Sequence, residues 1–144
     1  MNLDEILTLW KSDTKVEITD LANESAKVPS LHAKYYELYS KENYELTKLE
    51  QVHHQLVKLK TDYYGCRISD EELKALKWEP FDIKVLRQDM DMYIDADKDI
   101  IKSLLNVARQ KEKVDLLKDI LKQVHNRVYM IRAAIDYLKF SSGF

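Results

Sequence analysis

The sequence predicts an all-α protein built from long helices, and three observations support this. The 144 residues include only 2 Gly and 2 Pro, so the residues that usually form turns are scarce. Leu, Lys and Glu are abundant and favour helix. In the last third of the chain, apolar residues recur at alternating steps of three and four, the period of one helix face. A chain of this length suits one packed unit.

The N-terminal part predicts two short helices. Asn2 can cap a helix over Leu3–Lys11, and Thr19 can cap a second one. Pro29 either kinks this second helix or restarts it at Ser30. The apolar spacing resumes at once after the proline, which favours the kink.

A long helix is predicted next, because Leu31–Tyr64 contains neither Gly nor Pro. Its second half carries an apolar stripe at steps of three and four, which is expected to face the core: Leu49, Val52, Leu56, Leu59 and Tyr63. Gly65 is placed to end the helix, since glycine readily takes the left-handed conformation of a C-cap.

The middle of the chain is less regular. Ser69 and Glu72 match a capping box for a short helix to about Lys77. Residues 78–95 contain Pro80, and their apolar residues fit neither the helix nor the strand period. A short irregular or extended piece is therefore predicted there.

The last segment carries an uninterrupted heptad pattern, which predicts a helix that packs against a partner helix. We call its eight apolar residues the heptad seam: Val114, Leu117, Leu121, Val124, Val128, Ile131, Ile135 and Leu138. The partner is either the Leu31–Tyr64 helix of the same chain or a second copy. The width of the apolar surface beside the seam favours a homo-oligomer.

The end of the long helix combines positive charge with a tyrosine ring. Lys58, Lys60 and Arg67 can replace the counterions around phosphates, and Tyr64 can stack on an unpaired base. This combination is typical of single-strand binding. From the pattern alone, an ordinary solvated helix face followed by a capped end is the favoured interpretation, because Lys-x-Lys next to Tyr is common in helices.

The acidic stretch Asp89–Asp99 begins like a calcium loop but does not continue as one. Ile100 stands where that loop requires glycine, and Asn106 where it requires a bidentate glutamate. Asp95 or Asp97 is expected to cap the final helix instead. The acidic residues either solvate a loop, which is the commoner case, or dock a basic partner.

No enzyme, cofactor or metal site is predicted. The sequence contains no Gly-rich phosphate loop and no nucleophile elbow, and its histidines lack ligand spacing. The lone Cys66 cannot form an internal disulfide, and no apolar run is long enough for a signal sequence or a membrane span. We therefore expect an intracellular protein.

The net charge of -2 hides an uneven distribution. Residues 68–99 carry 5 basic and 10 acidic side chains, whereas residues 100–144 carry 9 basic and 4 acidic ones. The basic end suits a polyanion, and it equally suits charge pairing between neighbouring subunits. The overall charge argues weakly against a dedicated nucleic-acid binder.

Three blocks of this sequence resemble one known family. Lys58–Tyr64, which reads Lys-Leu-Lys-Thr-Asp-Tyr-Tyr, resembles the Lys-x-Arg/Lys-x-Asp-Tyr-Tyr motif of the UvsY family. Asp95–Ile101 resembles the family's Ala-Asp-Lys-Asp segment, and Ile131–Ile135 followed by Phe140 and Gly143 resembles its C-terminal end. Lys60 stands where relatives are expected to carry Arg, so a point charge replaces a bidentate guanidinium.

The resemblance implies a recombination mediator that binds single-stranded DNA as a homo-oligomer, such as a hexamer or a similar ring. It implies that the protein loads a RecA-like recombinase of the UvsX type onto DNA covered by single-strand-binding protein. Residues 1–99 are then a helical DNA-binding region and residues 100–144 a helical oligomerisation region. The expected location is the cytoplasm, that of the host cell if a phage encodes the protein. A helical scaffold or adaptor without nucleic-acid binding is the alternative.

Overall fold

The computed structural model describes residues 1–143 and confirms the all-α prediction, since it contains no strand within those residues. Two single 3₁₀ turns, Ile18–Asp20 and Arg87–Asp89, accompany the helices. The helices are α1 (Leu3–Asp13), α2 (Leu21–Ala26), α3 (Val28–Tyr64), α4 (Asp70–Leu76), α5 (Met90–Asp95) and α6 (Lys98–Ser141).

The start of α1 is as predicted, whereas the start of α2 is not. The Asn2 side chain accepts from the amide of Glu5 at 2.8 Å, and the Glu5 carboxylate accepts from the amide of Asn2 at 2.7 Å. Thr19 does not cap a helix, because it lies inside a 3₁₀ turn and its hydroxyl donates to Glu17 at 2.7 Å. The N-cap position of α2 belongs to Asp20.

The predicted kink at Pro29 is wrong, because one helix ends before the proline and a new helix begins. The preceding helix α2 ends at Ala26, and α3 begins at Val28, two residues before the predicted restart at Ser30. Pro29 therefore occupies the first turn of α3. Its missing amide hydrogen costs nothing at that position, since the first amides of a helix have no partner within the helix.

The long helix ends at Tyr64 as predicted, but Gly65 is not the left-handed residue. That conformation belongs to Cys66, with φ 57°. The amide of Cys66 donates to the carbonyl of Tyr63 at 3.1 Å, and the amide of Arg67 donates to the carbonyl of Asp62 at 2.8 Å. These two bonds form a Schellman motif one residue later than the sequence suggested.

The chain forms two compact units. The first unit comprises Met1–Tyr44 and the chain from Lys111 onward, and the second unit comprises Glu45–Gln110. Both α3 and α6 contribute residues to each unit. The assignment of DNA binding to residues 1–99 and of assembly to residues 100–144 is functional and stays a prediction.

The first unit buries one hydrophobic core, and part of the heptad seam belongs to it. Its buried members are Ile6, Leu21, Val28, Tyr35, Leu117, Ile120, Val124 and Ile131. They come from α1, α2, α3 and α6. Val114 is also buried, so four of the eight seam residues are buried within the chain. Val128 and Leu138 are 48% and 44% exposed, so the seam is covered only in part.

A buried arginine fixes the connection between α1 and α2 in the first unit. The guanidinium of Arg127 donates to the carbonyl of Asp13 at 2.7 Å and to that of Lys15 at 3.0 Å. It also pairs with the buried carboxylate of Glu24 at 3.0 Å. Paired in this way, the two charges can stay inside the unit.

The second unit contains an irregular piece that is shorter than the predicted range 78–95, because residues 87–95 are helical. Residues 78–86 form neither helix nor strand, and helical structure resumes with the turn at Arg87. The shorter helix α4 begins as predicted, since the Ser69 hydroxyl accepts from the amide of Glu72 at 3.3 Å.

We predict that the buried half of the seam determines the stability of the chain. Leu117→Ala is expected to lower the free energy of unfolding by about 2–5 kcal/mol, because it leaves a cavity in the core. The same substitution at Leu105, which is exposed on α6, is expected to change it by less than about 0.5 kcal/mol. Urea unfolding at a fixed subunit concentration measures both. Equal losses would show that the core is assigned to the wrong face of α6.

Candidate nucleic-acid interface

The end of α3 places its two motif lysines on different sides of the helix. Residues two positions apart are separated by about 200° around the helix axis. The Lys58 side chain is accordingly 81% exposed, whereas that of Lys60 is only 6% exposed. The two lysines therefore differ in what they can contact.

Lys60 points into the second unit and is neutralised there. Its ammonium lies 3.1 Å from the Asp97 carboxylate and 2.9 Å from that of Asp99. The same ammonium lies 4.0 Å from the centre of the Trp78 ring. A buried cation persists only where such partners replace its water. In this conformation Lys60 has no surface from which to reach a phosphate.

Asp97 joins the end of α3 to the start of α6. One of its carboxylate oxygens accepts from the Tyr64 hydroxyl at 2.5 Å and faces Lys60. The other accepts from the amides of Asp99 and Ile100 at 2.8 and 3.1 Å. This arrangement confirms that Asp95 or Asp97 caps the final helix, and it selects Asp97.

Lys60, Tyr64 and Asp97 form a network of hydrogen bonds and an ion pair that determines the charge states of its members. Burial alone would raise the pKa of Asp97, but hydrogen bonds from Tyr64 and Lys60 outweigh it and hold that pKa below its usual value. Burial and the bond to Asp97 raise the pKa of the Tyr64 phenol. At neutral pH the carboxylate of Asp97 is therefore ionised and the phenol of Tyr64 is neutral.

The Tyr64 ring belongs to an aromatic cluster rather than standing alone. It packs edge-on against Phe81, with 5.0 Å between ring centres, and lies 5.7 Å from the Tyr93 ring. Tyr63 contacts the same Phe81 and donates its hydroxyl to the carbonyl of Glu79 at 2.7 Å. These contacts hold the irregular segment against the end of α3.

The exposed cations of the motif region share one acidic neighbour. Lys58 pairs with Asp62 at 3.1 Å, and the Arg67 guanidinium lies 4.0 Å from the same carboxylate. Ion pairs of this kind in water are worth little. A phosphate can therefore replace Asp62 as the partner of either cation.

The predicted core stripe of α3 is not the most buried one. Val52, on that stripe, is 56% exposed. The neighbouring stripe turns inward instead: His53 lies 3.0 Å from the Ser103 hydroxyl, and Lys60 and Tyr64 meet Asp97. The partners that decide this rotation lie far along the chain, so the spacing within α3 could not reveal it.

The sequence singled out Asp97 as a helix cap but missed its second role. It also gave no role to Trp78, whose ring covers the Lys60 ammonium. The sequence feature that could have indicated these roles is Lys60, which shares a helix stripe with His53, Val57 and Tyr64. A cation on a half-buried stripe requires a buried acid opposite it.

Two further classes of site are absent from the described part of the chain. Across residues 1–143, His, Cys, Asp and Glu side chains form no group of three or more that could hold a metal ion. In the same range, none of the helices has the length and apolar character needed to cross a membrane.

We predict that Lys60 is needed for folding stability and Lys58 is not. Lys60→Ala is expected to lower the free energy of unfolding by about 3 kcal/mol, because it leaves a buried carboxylate without its counter-charge. Lys58→Ala is expected to leave the midpoint of urea unfolding unchanged. Circular dichroism during urea titration measures both variants, and identical midpoints would contradict the buried ion pair.

The same network predicts an acid-sensitive stability. Because folding depresses the pKa of Asp97, its contribution is present above the unfolded-state pKa of about 3.9 and is lost as pH falls through the folded value. Wild-type protein is expected to lose stability on acidification more steeply than Asp97→Asn. The free energy of unfolding is measured against pH for both proteins. Equal slopes of the two curves below roughly pH 4 would contradict this prediction.

Comparisons with known proteins agree with this fold. The family model described as "Recombination, repair and ssDNA binding protein UvsY" matches residues 9–144. The recombination protein uvsY of Enterobacteria phage T4 is 23% identical over 143 residues, which is 99% of either chain.

Solved structures show the same fold. A crystal structure of the bacteriophage T4 recombination mediator protein UvsY, lattice type II, superimposes with a TM-score of 0.85 at 22% identity. It covers 99% of this chain and 98% of the other. The lattice type IV structure also gives 0.85, at 23% identity, and covers 97% and 99%. Because the family model matches nearly the whole chain, this protein belongs to the UvsY family of recombination, repair and single-stranded-DNA-binding proteins.

Proposed function

We propose that this chain is a recombination mediator that binds single-stranded DNA as a homo-oligomer. In this role it promotes the loading of a RecA-like recombinase onto DNA covered by single-strand-binding protein. The observation that carries the proposal is the family match over residues 9–144, which includes the basic end of α3. The family is described by recombination, repair and DNA binding, and the sequence lacks catalytic motifs, so we propose a role without catalysis.

The four predicted DNA-binding residues divide into two pairs in our proposal. Lys58 and Arg67 are exposed and weakly paired, so they contact phosphates. Lys60 and Tyr64 are engaged with Asp97, so they hold the end of α3 in place. Their loss would weaken DNA binding indirectly, through the position of their neighbours.

We propose that the exposed part of the heptad seam binds a second copy. Val128 and Leu138 are exposed, although the seam is apolar at every position. Further large apolar side chains are exposed along the same end of α6: Tyr129, Met130, Tyr137 and Phe140. Apolar surface of this extent is typical of an interface. Residues 100–144 thus supply assembly and residues 1–99 supply the DNA contacts.

Assembly and DNA binding are linked by multivalency. Two exposed cations bind a strand weakly, but a closed ring such as a hexamer repeats them around its circumference. Linked sites exceed the affinity of one site by about 10²–10⁴. The exposed apolar end of α6 also suits a helical scaffold or adaptor that binds no DNA, and oligonucleotide titration separates that function from ours.

We predict salt-dependent binding of a labelled oligonucleotide. The logarithm of affinity is expected to fall with the logarithm of salt concentration at about -0.7 per phosphate neutralised. Lys58→Ala combined with Arg67→Ala is expected to make that slope shallower by at least about 1.4. Lys102→Ala combined with Arg109→Ala removes the same charges from exposed positions on α6 and serves as the control. Absence of saturable binding by wild-type protein at low salt would favour the scaffold.

We predict that a charge at Val128 disperses the subunits. Val128→Asp is expected to lower the mass in light scattering, because assembly would bury an unpaired carboxylate. Val52→Asp, at an exposed position of α3 outside the seam, is expected to leave the mass unchanged. Circular dichroism confirms that both variants stay folded. An unchanged mass for Val128→Asp would show that subunits associate through another surface.

A further inference from the structure

A groove of about 880 Å³ lies beside the end of α3 in the second unit. One wall comes from Tyr64 and the turn after it, including Arg67. The other comes from the irregular segment 82–85, with Arg87 and the first residues of α5. This volume falls within the range of about 300–1,000 Å³ that is usual for small-ligand sites. The groove can thus accommodate a group the size of a nucleotide.

Three cations from two separate segments line this groove: Arg67, Lys84 and Arg87. All three are exposed. Among residues 1–143, no carboxylate lies within 4.0 Å of Lys84 or Arg87, in contrast to the paired Lys58 and Lys60. These two cations therefore have no partner that an incoming phosphate must displace.

The groove also contains two acids, Asp82 and Asp91, so its lining carries a net charge of about +1 from three cations against two carboxylates. Neither acid forms an ion pair with a described residue. They limit the affinity for an anion without cancelling it. Removing the charge of one of these acids is therefore expected to increase the affinity of the groove for an anion.

Apolar and backbone groups accompany the cations. Ile83 is 57% exposed, and Val85 and Met90 line the same groove. The amides of residues 82–86 donate to no backbone carbonyl within residues 1–143, so secondary structure does not occupy them. Single-strand recognition combines cations at phosphates with apolar surface under unstacked bases, and backbone amides commonly join the phosphate contacts.

We infer that this groove binds the backbone and bases of single-stranded DNA, with Lys84 and Arg87 contacting phosphates and Ile83 contacting a base. The inference rests on the proposed function and extends it to residues outside the Lys58–Tyr64 motif. The strand then continues from the exposed cations at the end of α3 into the groove. Lys60 serves this site through Asp97, with which it pairs and which accepts from the hydroxyl of the wall residue Tyr64.

The test compares paired variants of the full chain against a labelled oligothymidylate. Lys84→Ala combined with Arg87→Ala is expected to weaken binding about tenfold or more, because repeated sites multiply the loss. Lys102→Ala combined with Arg109→Ala, which removes the same charges outside the groove, is expected to change binding less than about twofold. Asp82→Asn is expected to strengthen binding severalfold, whereas a purely structural role for the segment would weaken it.

The outcomes separate this inference from the proposed function. If wild-type protein binds and both double variants weaken binding equally, the groove is not the site, but the function stands. If wild-type protein does not bind at all, the proposed function itself fails. Lys84→Arg is expected to restore part of the lost affinity when it replaces Lys84→Ala in the double variant, because one of the two cations returns. Circular dichroism confirms folding in each case.

Cys66, which is exposed and lines the groove, provides a second readout in wild-type protein. Saturating oligothymidylate is expected to slow its alkylation by iodoacetamide about fivefold or more, since a bound strand shields the thiol. An unchanged rate with DNA bound would overturn the inference. Protection that depends on protein concentration without DNA would assign the groove to a second copy and would overturn it equally.

Discussion

The second unit depends on one buried cation. The ammonium of Lys60 is held by Asp97 and Asp99 beneath the Trp78 ring, and breaking such a pair leaves a charge without compensation. Asp97 simultaneously caps α6 and accepts from the Tyr64 hydroxyl. The end of one long helix and the start of the other are therefore linked through a single carboxylate. In a chain with few turn residues, this link gives the segment between them a defined position.

This constraint changes how positive charge is distributed around the motif. A lysine that the family resemblance assigned to DNA points inward, while Lys58 and Arg67 stay at the surface. The segment that the sequence predicted to be irregular or extended carries Lys84, and the 3₁₀ turn after it carries Arg87, to the same groove as Arg67. Nucleic-acid binding by a chain with a net charge of -2 thus depends on local placement of cations.

The apolar seam of the final helix is buried at some positions and exposed at others. Leu117 and Val124 are completely buried in the core of the first unit, whereas Val128 and Leu138 are exposed. The exposed Val128 lies between the buried Val124 and Ile131, so one continuous heptad carries both buried and exposed positions. In our proposal the buried positions belong to the core and the exposed ones bind a second copy. Weak contacts at many copies then give a strand affinity that a single subunit lacks.

The sequence by itself determined the helical class, most helix ends and the family. Asn2, Ser69 and Asp97 cap helices as their residue types predict, because capping depends only on neighbours within a turn. Local rules failed at Thr19, which lies inside a 3₁₀ turn, and at Pro29, because α2 has already ended at Ala26. Only the tertiary structure decided which face of α3 is buried and which cations remain free. Those outcomes depend on partners distant along the chain, which no periodicity within one helix can register.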